Sequence, residues 1–229
     1  MGPRRYRRRT GNQCRSGIQD SAWKALAARY GHAVPADGSL SAAGGVDMAR
    51  IGYADPPYIG CAHLYKDHPD YAGEVDHAEL VARLERDFDG WVLHASATPH
   101  SIAVLAPLVE KTGARWMTWV KGFAAFKRNV PVAYAWEPVI VKPARKPVVS
   151  KRLTMRDWIQ ESITLKRGLT GAKPEAVCHW AFEVVAARPE DELVDLFPGT
   201  GAVTRAWTSW QGKFALPDDG PLFSQEKTK

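Results

Sequence analysis

The chain of 229 residues suits one α/β domain with an appendage and is hardly long enough for two full domains. With 45% hydrophobic and 24% charged residues it can form a packed core, which excludes wholesale disorder, and no apolar run approaches the ~20 residues needed to span a bilayer. The net charge is +6, and eight basic against three acidic residues before Met48 carry most of it.

Three cysteines (Cys14, Cys61, Cys178) lie far apart with no C-x-x-C pair, so neither a disulfide framework nor a cysteine-rich zinc site is expected. The basic start, Met1 to Arg9, is followed by no apolar segment, and a secretory signal is not expected either. The expectation is a cytoplasmic protein with no membrane or metal partner.

Residues 1–47 read as a basic arm and linker. Arg4 to Arg9 is too charged to pack, Asp20 can cap a short helix over Ser21–Tyr30, and Pro35, Gly38, Gly44 and Gly45 punctuate the stretch between that helix and Met48. One expectation is that the native protein starts at Met48, the earlier residues being a gene-calling artefact or a phase-variable extension; peptides upstream of Met48 in native material would end that idea.

From Met48 strands and helices alternate. Ile51–Ala54 is a short strand before a Pro-Pro turn, and His77–Phe88 is a helix capped by Asp76. Trp91–His94 is a buried strand, and Thr98-Pro99 opens a helix through Lys111. Arg115–Val120 and Tyr134–Val141 are strands joined by a basic loop. Pro174–Arg188 is a helix, Glu192–Phe197 an apolar strand, and Ala202–Trp210 a last helix. This spacing implies a mostly parallel sheet covered on both faces, over residues 48–212, with 213–229 as a flexible tail. Trp91, Trp116, Trp119 and Trp180 are expected in the core, and Trp136 in the core or lining a cleft. His63, His68 and His77 have no ligand-like pattern. Glu74, Asp76 and Glu79 are expected to cap or solvate the first helix.

Two motifs carry chemistry. Asp55-Pro56-Pro57-Tyr58 directly follows an apolar strand, and two prolines force the chain stiffly out of the sheet at its carboxyl edge, where ligands of open α/β sheets bind. A carboxylate, a carbonyl and an aromatic ring held together there suit a planar heterocycle with an exocyclic amine. Tyr58 stacks on the ring, and Asp55 and the Pro56 carbonyl accept the two N–H hydrogens. In the second, Asp195-Leu-Phe-Pro-Gly-Thr-Gly201 leads a strand through a glycine turn into a helix whose N-terminus offers free N–H groups. A dinucleotide site is disfavoured because Thr204 stands where a third glycine belongs, and the absence of Gly-Lys-Ser/Thr excludes a P-loop.

Taken together and in this order, D-P-P-Y and D-x-F-x-G-x-G resemble the β-class S-adenosylmethionine-dependent DNA amino methyltransferases, which modify adenine N6 or cytosine N4. Lys173-Pro174 and Trp136-Glu137-Pro138-Val139-Ile140 resemble lesser elements of that family, and the likeness runs from residue 48 to about 210. It implies a Rossmann-like methyltransferase fold, strand order 1-4-5-7-6, with a terminal antiparallel hairpin and a second strand missing or rudimentary. It further implies that Asp55, Pro56, Pro57 and Tyr58 handle the target amine of double-stranded DNA, and that Asp195, Phe197, Gly199, Gly201, Lys173 and Pro174 bind S-adenosylmethionine. Adenine N6 is preferred, because Asp and not Ser precedes Pro-Pro-Tyr, with cytosine N4 or a catalytically inactive DNA-binding relative as alternatives. The family's ribose-binding acid has no clear counterpart beyond Asp218 or Asp219, after a rudimentary strand over Lys213–Leu216. Phosphate contacts are expected from Lys121, Lys127 and Arg128 in the basic loop and from Lys146, with Lys142, Arg145, Lys151 and Arg152 as further cations.

Overall fold

A computed structural model describes residues 48–66, 73–123, 131–146, 155–163 and 172–214. The arm and its Ser21–Tyr30 helix, the loop cations Lys127 and Arg128, and everything from 215 onward lie outside the described residues.

Strand β1 (Arg50–Ala54) is followed by a helical turn at Ala62–Tyr65 and by helix α1 (His77–Asp87). As its sequence predicts, Asp76 caps α1, its carboxylate accepting from the Ala78 and Glu79 amides. Strand β2 (Gly90–His94) leads to α2 (Pro99–Val109), where the Thr98 hydroxyl accepts from the Ser101 amide. Strands β3 (Arg115–Val120) and β4 (Trp136–Lys142) form a hairpin, and β5 (Trp158–Gln160) precedes α3 (Glu175–Val184), β6 (Glu192–Asp195) and α4 (Ala202–Gly212). Helix α3 is shorter than the expected Pro174–Arg188, because Ala186 turns into the left-handed region at φ 60°. Strand β5 has no counterpart among the predicted elements. Lys213 and Phe214, expected to begin a tail or a strand, close the last turn of α4, with Phe214 edge-on to Trp210 at 4.9 Å.

The sheet order is β5-β3-β4-β2-β1-β6, and β4 alone runs antiparallel to its neighbours. Reading inward from β6, this is the 1-4-5-7-6 order expected, with β5 added beyond it. Among the described residues β6 is an edge, so the strand anticipated as missing or rudimentary is not seen there. Residue alternation sends the strands' side chains into two cores. Ile51, Tyr53, Val92, Val139 and Val141 pack with α3 and α4, while Ala54, Trp91, Leu93 and Ile140 pack with α1 and α2. Between α3 and α4 the contact is aromatic: Phe182 is edge-on to Trp207 at 5.0 Å, and Trp207 stacks on Trp210 at 4.9 Å. Gly52 lets α1 close on β1, since a Cβ there would stand 2.9 Å from both Leu84 and Phe88. Among the described residues no helix is long and apolar enough to cross a membrane.

The five parallel strands all end at one edge, and β4 begins there. The opposite edge is closed by Asp191, whose buried carboxylate accepts from Arg145 at 2.7 Å through each oxygen, from the Ala49 amide at 2.8 Å and from the Arg188 amide at 2.7 Å. Four donors on one carboxylate tie the entry to β1, the exit of β4 and the α3–β6 turn together.

Candidate active site

At the carboxyl edge Asp55 leaves β1 and the two prolines lead to a turn closed by the Cys61 amide donating to the Tyr58 carbonyl at 2.7 Å. Glu74, expected to cap or solvate the first helix, pins this segment through the Gly60 and Ala62 amides, both at 3.3 Å. Neighbouring β6 is in register, Tyr53 opposite Asp195, so the glycine turn leaves the sheet beside the Asp55 segment. The two motifs thereby become walls of one cleft that is open to solvent. Asp55, Tyr65 and Lys173 line one side, and Phe197, Pro198, Gly199, Thr200 and the start of α4 line the other.

Lys173 lies in the extended segment before α3 and points into the catalytic motif. Its Nζ donates to Asp55 Oδ1 at 2.7 Å, stands 3.3 Å from the Tyr58 hydroxyl and is 3.8 Å from Glu137 Oε2. The Tyr58 hydroxyl donates to Glu137 Oε2 at 2.7 Å, and Lys121 donates to Glu137 Oε1. Trp119, which pairs with Glu137 across the β3–β4 ladder, lies under both ammonium groups at 5.2 and 5.8 Å. The cluster thus balances two carboxylates against two lysines around one tyrosine.

Burial sets the electrostatics. Desolvation raises the Asp55 pKa, Lys173 opposes it, and Glu137 adds to the rise. Desolvation also works against ionised Glu137, but Lys173 and Lys121 outweigh it and hold that carboxyl below its usual range. Lys173 is raised: two carboxylates overcome its own burial. Burial, then Asp55 and Glu137, keep Tyr58 a neutral phenol far above its usual range. Below the cleft, desolvation pushes Asp195 up to about 6, offset in part by the Phe197 amide, and its buried Oδ2 has no hydrogen-bond partner among the described residues.

Gly199 and Gly201 adopt φ 43° and 69°, conformations that L side chains resist. Gly201→Ala is expected to cost about 1–2 kcal/mol in a urea unfolding titration; a neutral result would show that the turn accepts a Cβ.

The residues expected to bind phosphates sort differently from their sequence grouping. Lys121 is mostly buried and committed to Glu137. Strand β4 runs away from the cleft, so Lys142 pairs with Glu85 at 2.7 Å and Arg145 with Asp191, and Lys146 lies beyond them at the opposite edge from Asp55. The antiparallel direction of β4 thus separates Lys146 from Asp55 along the sheet. Glu137, Trp119 and Tyr65 were not expected in the site. Glu137 alone left a trace, as the one charge within an otherwise apolar stretch from Trp136 to Val141. Among the described residues no group of His, Cys, Asp or Glu is gathered as a metal site.

No family model matches the chain, and no curated protein does. Among solved structures it is similar to the M1.HpyAVI–SAM complex, with TM-score 0.48 and 18% identity over 72% of this chain and 80% of that one. It is similar also to M1.HpyAVI alone, with TM-score 0.41 and 15% identity over 72% of this chain and 77% of that one.

Proposed function

We propose that this protein transfers a methyl group from S-adenosylmethionine to an exocyclic amine of double-stranded DNA, adenine N6 in preference to cytosine N4. The observation that carries the reading is the single cleft with Asp55 on one wall and the 197–203 glycine turn on the other. The cofactor would supply an electrophilic methyl group. The residues present fit it: Asp195 offers a buried carboxylate oxygen in need of a donor, as the cofactor's ammonium group is, and Gly199 leaves the turn's backbone open to close approach. Phe197 and the first residues of α4 would wall its binding space.

The chain's own groups act on the amine. The Asp55 carboxylate and the Pro56 carbonyl accept its two hydrogens, which localises the nitrogen lone pair for attack. Tyr58 supplies a neutral ring to stack on the extruded base, since a base edge is reachable only outside the duplex stack. The preference for adenine rests on Asp at the head of the Pro-Pro-Tyr motif, and phosphate contacts from Lys127 and Arg128 belong to the same proposal.

Sequencing that detects modified bases, on DNA from cells expressing the protein, tests the reading; N6-methyladenine is expected and its absence, with cytosine N4 also unmodified, overturns it. Binding of radiolabelled S-adenosylmethionine separates the inactive alternative, which would retard DNA without retaining the cofactor. That binding is expected to weaken as pH falls through about 6, the value to which burial lifts Asp195, because the protonated acid loses its charge for the cofactor's ammonium. Asp195→Asn should bind weakly and without that pH dependence; unchanged binding would remove Asp195 from the site.

A further inference from the structure

Lys173 belongs to a Lys-Pro pair whose family resemblance implies a place beside the cofactor, yet its ammonium group is committed elsewhere. Nζ donates to Asp55 Oδ1 at 2.7 Å and to the Tyr58 hydroxyl at 3.3 Å, and that hydroxyl passes its own hydrogen to Glu137 Oε2 at 2.7 Å. Among the described residues its hydrogen-bond and ion-pair partners are Asp55, Tyr58 and Glu137, and none lies in the 195–201 turn. The lysine is built in: its side chain is 6% exposed. Pro174 favours an extended backbone at the residue before it, and its carbonyl accepts from the Val177 and Cys178 amides of α3, which fixes where the stem departs. Only one Asp55 oxygen is engaged. Oδ2 has no hydrogen-bond partner among the described residues, and the Asp55 side chain keeps 19% of its surface exposed on the wall of the cleft.

We propose that Lys173 is the positioning residue of the amine site and not a cofactor ligand: it pins Asp55 through Oδ1, presents Oδ2 to the cleft as a fixed acceptor, and holds the Tyr58 ring by its hydroxyl. The inference rests on the methyl-transfer reading above. Lys173 acts through Asp55 and Tyr58 and touches neither base nor cofactor. One N–H of the target amine goes to Oδ2 and the other to the Pro56 carbonyl, so the lysine keeps its seat throughout. Acceptor and stacking ring are thereby set at one spacing by one cation. Charge follows the same geometry. Burial and Glu137 favour the neutral form of Asp55, and the acids Tyr53, Tyr58, Tyr65, Cys178 and Asp195 on the elements around it add to that, while Lys173 supplies the opposing cation. Asp55 accepts the amine when ionised, so removing the lysine moves the acid limb of methyl transfer to higher pH.

The test uses the full chain, saturating S-adenosylmethionine with a tritiated methyl group, and unmethylated amplified bacterial DNA. Protein is kept in excess, so that single-turnover rates report the transfer step. In Lys173→Met the acid limb is expected to move up by about two pH units, as the loss of a close counter-charge does. At the pH where wild type runs at half its plateau the variant should be about 500-fold slower, and on its own plateau about tenfold slower, the part due to lost orientation. Lys173→Arg keeps the charge without the compact ammonium, so its limb should stay at the wild-type pH while its rate still falls. Both variants should bind radiolabelled cofactor as the wild type does. A rate loss with the limb unmoved in folded Lys173→Met makes the lysine a structural prop, and weaker cofactor binding at an unchanged plateau rate makes it a cofactor ligand. Either result overturns the proposal while leaving methyl transfer standing. If Lys173→Met fails to fold, Lys173→Arg decides: a full rate, a displaced limb or weakened cofactor binding overturns the assignment. Wild-type protein that methylates no DNA overturns the methyl-transfer reading as well.

Discussion

Asp55→Ala is expected to reduce methyl transfer by roughly 1,000-fold or more, the scale seen when a preorganised polar group at a reacting centre is removed. Cofactor affinity should change far less. Asp55 lies on the wall facing the glycine turn, and its hydrogen bond runs to Lys173 and not to residues 195–201. The protein should also stay folded, because Lys173 keeps Glu137 within 3.8 Å as a counter-charge. Three measurements separate the possibilities: initial rates with tritiated cofactor, equilibrium cofactor binding, and a melting curve. Full activity in a folded variant would remove Asp55 from the chemistry. Loss of cofactor binding in parallel with rate would instead make Asp55 part of the cofactor site.

The largest stability effect is expected at the other end of the sheet. Asp191 is wholly buried as a side chain, and Arg145, which it receives through both oxygens, is 15% exposed. Asp191→Ala leaves the arginine without its carboxylate and strands the Ala49 and Arg188 amides, which also donate to it. Breaking one side of such a buried pair costs about 3–5 kcal/mol, well above the worth of any exposed pair such as Arg50 with Glu192. Urea denaturation of Asp191→Ala, Arg145→Met and the double variant forms a cycle, in which the double should lose much less than the sum of the singles. A loss below about 1 kcal/mol for Asp191→Ala would place the stability of this edge elsewhere. Because the network sits at the edge away from the cleft, the folded fraction of the variant should turn over as the wild type does.

Some of this molecule is written in the sequence itself. Helix α1 starts where Asp76 can cap it, β3 spans the residues its β-branched and aromatic pattern marks, and α2 starts at Pro99. These are local matters of periodicity, caps and proline geometry, each decided within a few residues. The two motifs were legible for the same reason, since Asp55 to Tyr58 and Asp195 to Gly201 are each contiguous. Strand β5 was not, because three residues have no period of their own and are a strand only by pairing with β3.

Partners distant along the chain were decided by tertiary structure alone. Lys173 meets Asp55 across 118 positions, and Tyr58 meets Glu137 across 79, so no local pattern records that the four charges of the site share one cluster. The basic stretch from Lys121 to Arg152 looked uniform as sequence. In the fold the direction of β4 divides it, leaving Lys121 bound to Glu137 beside the cleft and carrying Lys142 and Arg145 to acids toward the far edge. Charge counted along a chain carries no sign of the edge at which each residue emerges, and here the antiparallel course of a single strand set that.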